Sequence, residues 1–180
     1  MHTFTAWEEI ADRYGITVHA YVKKRKVQAV ISKEITSPCV LGIRRNYILF
    51  PDAEYPPEDM QYILEHEIMH IRNHDMVWKC LVEVLCRVFW WNPVMYALKK
   101  ELFSLIEMRN DRKIAEKLTD ADVLQYMSAL VHTAVRPQKE IEDCGLTFNS
   151  GGKESLKRRL LLLKDLQPVS KKWCILLTTL

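Results

Sequence analysis

The chain has 180 residues, 48% of them hydrophobic and 27% charged, with a net charge of +3. That suits one globular domain with a full core, and it excludes a disordered, collagenous or strongly nucleic-acid-seeking chain. The basic runs at 23–26, 44–45 and 157–159 read as solvated faces, with a membrane surface as the sharper alternative, and no direct nucleic-acid partner is expected. Five cysteines, an odd number without a C-x-x-C pair or an opening signal-peptide pattern, argue for a reducing, cytosolic setting.

Residues 6–14 predict a short helix ended by Gly15. Residues 16–22, 27–31, 39–43 and 47–50 are rich in β-formers, and the last two flank Arg44-Arg45-Asn46 as in a hairpin. After Pro56-Pro57 the chain turns helical. Pro57-Glu58-Asp59 is a helix start with acids in the first turn, and this helix is expected to run to about His74. Further helices are predicted over about 76–90, 93–118, 120–135 and 154–166, the fourth of the five capped by Thr119 or Asp120. The helix over 76–90 carries Lys79, Glu83 and Arg87 at i, i+4, i+8, one polar stripe on an otherwise apolar rod. It is too short to span a bilayer, which needs about 20 apolar residues, so it reads as a buried or membrane-leaning helix. The apolar run from Trp173 to the last residue reads either as the start of a transmembrane helix or as a docked tail. The organisation expected is a strand-rich part over 1–57 and a helical part over 58–166, forming one domain, with a tail over 167–180.

The chemistry lies in His66-Glu67-Ile68-Met69-His70. Histidines four apart on a helix share one face, so both imidazoles reach one metal ion. Glu67 is turned about 100° away, beside the ion, where it can act as a general base toward water. This is the H-E-x-x-H logic of a zinc peptidase. A catalytic zinc needs a third protein ligand. The third-histidine solution is excluded, because Asn73 and Met76 stand where it requires Gly and His. Glu107 on a later helix is the expected third ligand, and Asp111 one turn on is expected to orient a ligand histidine. The competing reading of Glu107 and Asp111 is an exposed charged face. His74 lies in line with His66 and His70 and cannot close the shell. His132 is a weaker candidate for stabilising a developing oxyanion, against a histidine satisfied elsewhere.

The run from Ile63 to Asp75, the segment Phe89-Trp90-Trp91-Asn92-Pro93-Val94-Met95-Tyr96, and Glu107-Met108-Arg109-Asn110-Asp111 resemble the antirepressor-type membrane gluzincins, typified by the peptidase domains of bacterial beta-lactam sensor-transducers. The likeness covers about residues 25–165. Many members carry Cys where this chain has Asn110. The resemblance implies an α+β, zincin-like (gluzincin) domain with a small N-terminal sheet, a zinc ion and peptide-bond hydrolysis. It also implies an integral membrane protein whose peptidase domain faces the cytoplasm, with a transcriptional repressor as the regulator finally lost. Arg159, in Leu156-Lys157-Arg158-Arg159-Leu160, resembles an arginine of related membrane gluzincins that borders the site, with a surface arginine as the alternative. The rival function is a catalytically silent zincin scaffold that binds a signalling partner. The substrate, the cleaved bond, the signal and the oligomeric state are not legible in the sequence.

Overall fold

The structure is a computed structural model that describes Ile10, residues 27–135 and residues 152–165. The expected helix over 6–14 (apart from Ile10), the strand over 16–22, the loop after residue 135 and the tail over 167–180 lie outside the described residues.

The β-rich stretch folds into β1 (Gln28–Ser32), β2 (Cys39–Leu41) and β3 (Tyr47–Pro51), in the order β1-β3-β2. The expected hairpin is present: β2 runs antiparallel to β3, pairing Cys39 with Leu49 and Leu41 with Tyr47. Gly42 makes its turn possible. Its φ is +96°, and a Cβ there would lie 2.0 Å from the Arg45 carbonyl oxygen, so no other residue fits. β1 runs parallel to β3. Among the described residues β2 is therefore an edge strand.

Five helices follow: α1 (Pro57–Arg72), α2 (Asp75–Val88), α3 (Pro93–Ala115), α4 (Asp120–Val135) and α5 (Gly152–Asp165). Pro57 opens α1, with Glu58 and Asp59 in the first turn, where acids oppose the positive end of the helix dipole. Asn92 opens α3 by accepting from the Val94 N–H at 3.0 Å. Thr119, one of two expected caps, opens α4. Its hydroxyl accepts the Asp122 N–H at 3.4 Å, and the Asp122 carboxylate accepts the Thr119 N–H at 3.3 Å in return.

α1 ends two residues before the expected His74. The Asn73 amide donates to Asn110 on α3 at 2.6 Å, and Lys113 donates to Asn73 at 2.9 Å, so α3 pins the corner. His74 then takes a left-handed conformation with φ 55°, which breaks the helix and starts α2 in a new direction.

α1 is the central element. Ile63, Leu64, Ile68 and Ile71 pack on Ala29, Ile48 and Phe50 of the sheet. On its other side Met69 joins Ile114, Tyr126 and Leu163 from α3, α4 and α5. Each such side chain contributes about 1.5–3 kcal/mol on burial. Held on two faces, α1 presents His66 and Glu67 inside the protein rather than on a free surface; both are buried.

The polar stripe expected on α2 is present, and the structure shows which way it faces. Lys79 is buried and meets Glu107, and Glu83 meets Lys99, so two of its three charges form a seam against α3. It is the apolar residues of α2 that face outward, Val77, Leu81, Val84 and Val88 among them. The spacing alone defines two faces without saying which is covered. No described helix is long and apolar enough to cross a membrane.

Candidate metal centre

The two histidines are anchored by one ring nitrogen each and converge through the other. His66 Nδ1 lies 2.9 Å from the Tyr126 hydroxyl, which donates onward to Asp111 at 2.6 Å. His70 Nδ1 lies 2.8 Å from Asp75 Oδ2. Both Nδ1 atoms thus serve as donors, which leaves the Nε2 lone pairs free. The Nε2 atoms are 3.2 Å apart, and Glu107 Oε2 is 3.2 Å from one and 3.5 Å from the other.

Three acceptors aimed at one point repel unless a cation sits among them. A tetrahedral zinc with bonds of 2.0–2.1 Å holds its ligand atoms about 3.3–3.4 Å apart. The three separations match that spacing, and the three ligand atoms all lie within 4.8 Å of one another. The residues present therefore fit such an ion.

The electrostatics favour positive charge at this point. Burial works against protonation of His70, but the Glu107 charge and the Asp75 hydrogen bond outweigh it and raise its pKa to about 9. For Glu107, burial pushes the carboxyl up, yet the charges of His70 and Lys79 hold it well below the usual range. Lys79 Nζ donates to Glu107 Oε1 at 3.0 Å, leaving Oε2 for the histidines. Burial would likewise raise Asp111, but Arg159 and the His66 bond bring it to about 2.

Of the residues singled out in the sequence, His66, His70 and Glu107 form the cluster. Glu67 is buried next to it on α1, close enough for its charge to raise His70 and the Cys39 thiol. Asp111 is fully buried. It lies 3.3 Å from His66 Nδ1, with Tyr126 bridging the two. Arg159 is not a surface arginine. Its Nε and terminal nitrogen donate to Asp111 at 2.6 and 2.8 Å, and the terminal nitrogen lies 3.5 Å from His66 Nε2. His132 stands elsewhere, 2.6 Å from Asp59, as the competing reading has it. His74 is exposed at the α1–α2 corner.

Four partners were not foreseen: Asp75, Lys79, Asn110 and Tyr126. Asp75 accepts from His70, from Asn110 at 2.5 Å and from Arg109. Asp75 follows the motif by one turn, which was its one visible signal. Tyr126 looks like an ordinary apolar position of α4.

Comparison with known proteins gives the family. Residues 7–163 match the family described as BlaR1 peptidase M56. The methicillin resistance protein mecR1 of Staphylococcus aureus is 26% identical over 141 residues, covering 74% of this chain and 24% of that protein. Regulatory protein BlaR1 of Bacillus licheniformis is 27% identical over 149 residues, covering 81% of this chain and 25% of that protein. Regulatory protein BlaR1 of Staphylococcus aureus is 22% identical over 151 residues, covering 82% and 25%. The chain spans about a quarter of the length of these curated relatives. Fold and site define a class, an α+β domain with a metal-ready histidine pair on its central helix. Within that class the chain belongs to the BlaR1 peptidase M56 family.

Proposed function

We propose that this chain is the zinc-dependent endopeptidase domain of a larger membrane-bound signalling protein. Its substrate is a polypeptide, a cytoplasmic repressor-like regulator and, at a second site of cleavage, the protein itself. The observation that carries the reading is the convergence of His66 Nε2, His70 Nε2 and Glu107 Oε2, with Glu67 beside them. Residues 1–166 act as one zincin-like (gluzincin) domain. The shared core of sheet and α1 supports that.

His66, His70 and Glu107 would hold the ion. When bound, zinc supplies Lewis acidity toward a carbonyl oxygen and acidifies water. The remaining work belongs to the protein. Glu67 takes a proton from water and returns it to the leaving amine. Asp75 and the Tyr126–Asp111 pair keep each Nδ1 protonated, so each Nε2 keeps its lone pair. Arg159 holds Asp111 ionised. The edge of β2, unpaired among the described residues, offers an extended peptide a strand to pair with. The packing of α1 against β2 brings that edge beside the helix that carries the base. The domain works at the cytoplasmic face of the bacterial membrane.

Metal content and peptidase activity of point variants test this. Glu67→Gln keeps zinc and loses turnover by about 10²- to 10⁴-fold. Glu107→Ala loses zinc on dilution into chelator, and His74→Ala changes neither. A Glu107→Ala protein that held zinc like wild type would overturn the ligand set. A Glu67→Gln protein with full turnover would favour the silent-scaffold reading, with the observed activity arising elsewhere.

A further inference from the structure

The far end of the α2–α3 hairpin carries an apolar surface that no described residue covers. The outward face of α2 brings Val84 and Val88 to the tip, the turn adds Phe89, Trp90 and Trp91, and α3 begins with Val94. All six are exposed; Trp90, Trp91 and Val94 are 68%, 63% and 67% accessible. Tyr96 and Leu98 continue the surface along α3. The hairpin already has its own interior, Val82 and Cys86 against Phe103. The outer residues are therefore a second apolar layer, larger than a soluble surface usually leaves bare.

We propose that this tip is a membrane-interface anchor, seated among the headgroups of a bilayer that contains anionic lipid. Three observations favour a lipid surface over a protein groove. First, both helices and the turn between them are apolar outside. A groove takes one face of a helix, whereas a fluid layer can surround a tip. Second, two tryptophans and a tyrosine beside aliphatic residues make the amphipathic belt suited to the headgroup level. No described helix is long and apolar enough to cross, so the tip enters without spanning. Third, the charge left unpaired beside the tip is positive. Glu83 is paired with Lys99 and Glu101 with Arg158. Arg87, in the last turn of α2, is exposed and has no described partner, so it complements anionic headgroups. No residue of the metal centre lies in this surface, so the anchor is read by lipid binding alone, without a measure of peptide hydrolysis, and is distinct from any attachment by flanking segments.

The test is co-sedimentation of the 180-residue protein with vesicles of phosphatidylcholine alone and of phosphatidylcholine with one quarter phosphatidylglycerol. Wild type partitions to the mixed vesicles. Replacing Phe89, Trp90 and Trp91 together by Ser weakens partition by a factor on the order of 100. These positions are exposed, and an unchanged thermal melt shows that the fold is kept. Arg87→Glu weakens binding to the mixed vesicles while leaving phosphatidylcholine binding unchanged. In a variant with Trp7, Trp78 and Trp173 replaced by Phe, brominated lipid quenches the remaining fluorescence. Equal partition of the triple Ser variant, or unquenched Trp90 and Trp91, overturns the proposal. So does self-association that the triple Ser variant abolishes in a protein that ignores vesicles, because the surface is then a protein interface.

Discussion

Removing the Asp75 carboxylate probes the least expected support of the centre. Asp75 is 1% exposed and accepts from three donors, the His70 ring, Asn110 and Arg109. Hydrogen bonds to a charged group are worth about 1.5–3 kcal/mol each. Two of these donors, His70 and Asn110, are largely withdrawn from water, so Asp75→Ala is expected to cost the metal-free protein roughly 3–5 kcal/mol. The effect on zinc is separate. Without Asp75 the His70 ring is free to turn or to carry its proton on Nε2, and affinity falls by about 10- to 100-fold. Asp75→Asn isolates the charge. Its carbonyl can still accept from Nδ1, but its amide then faces the Arg109 guanidinium, donor against donor. That variant keeps most zinc affinity and loses most of the stability. Chelator competition reads the first quantity and urea unfolding of the metal-free protein the second. If Asp75→Ala bound zinc as tightly as wild type, the orienting role would be wrong, and the 2.8 Å contact would be a stabilising ion pair only.

The Lys79–Glu107 pair is buried on both sides, so Lys79→Met should cost about 3–5 kcal/mol by urea unfolding, and the double change with Glu107→Met should recover much of it. A Lys79→Met loss under 1 kcal/mol would show that the pair is solvated. Asp111 links stability to acid. Its pKa falls from 3.8 to about 2 on folding, so its contribution is present above about 4 and is lost as pH drops through about 2. The shift corresponds to something on the order of 2 kcal/mol. The stability gap between wild type and Asp111→Asn, measured in urea without metal, should shrink across that window; a constant gap refutes the linkage. Ile114 is fully buried between α1, α4 and α5. Ile114→Ala should therefore cost about 2–5 kcal/mol in a thermal or urea melt, and a smaller loss would mean that the helices close over the gap.

The parts of this structure that were legible in the sequence are local. The spacing of His66 and His70 places both rings on one face of any helix. Pro57, Asn92-Pro93 and Thr119 mark helix starts by chemistry that needs no tertiary partner. Glu107 and Asp111 were accessible because a catalytic zinc wants a third ligand and a carboxylate behind a histidine. What stayed hidden depends on which faces meet. The parallel pairing of β1 with β3 joins strands separated by β2, and no turn residue encodes it. The pairing of Lys79 with Glu107 was hidden because helical spacing does not tell a polar seam from a polar surface. Arg159 lies 93 positions beyond His66, and only the packing of α5 against α3 and α4 brings it to Asp111. The end of α1 at Arg72 was missed because its cause, Asn73 held by α3, is a contact across 37 positions.

One consequence follows from the placement of Asp75 and Lys79 in the first two turns of α2. That helix, about 21 Å long by its 14 residues, touches His70 and Glu107 at one end and carries the hairpin tip at the other. His74, with its left-handed backbone, is the fulcrum. A tilt of about 5° moves the far end by roughly 2 Å, while the near end shifts by a fraction of that, enough to lengthen two hydrogen bonds. The hairpin is thus a lever. A displacement of its tip would reach the histidine and the glutamate at its base through the bonds of Asp75 and Lys79.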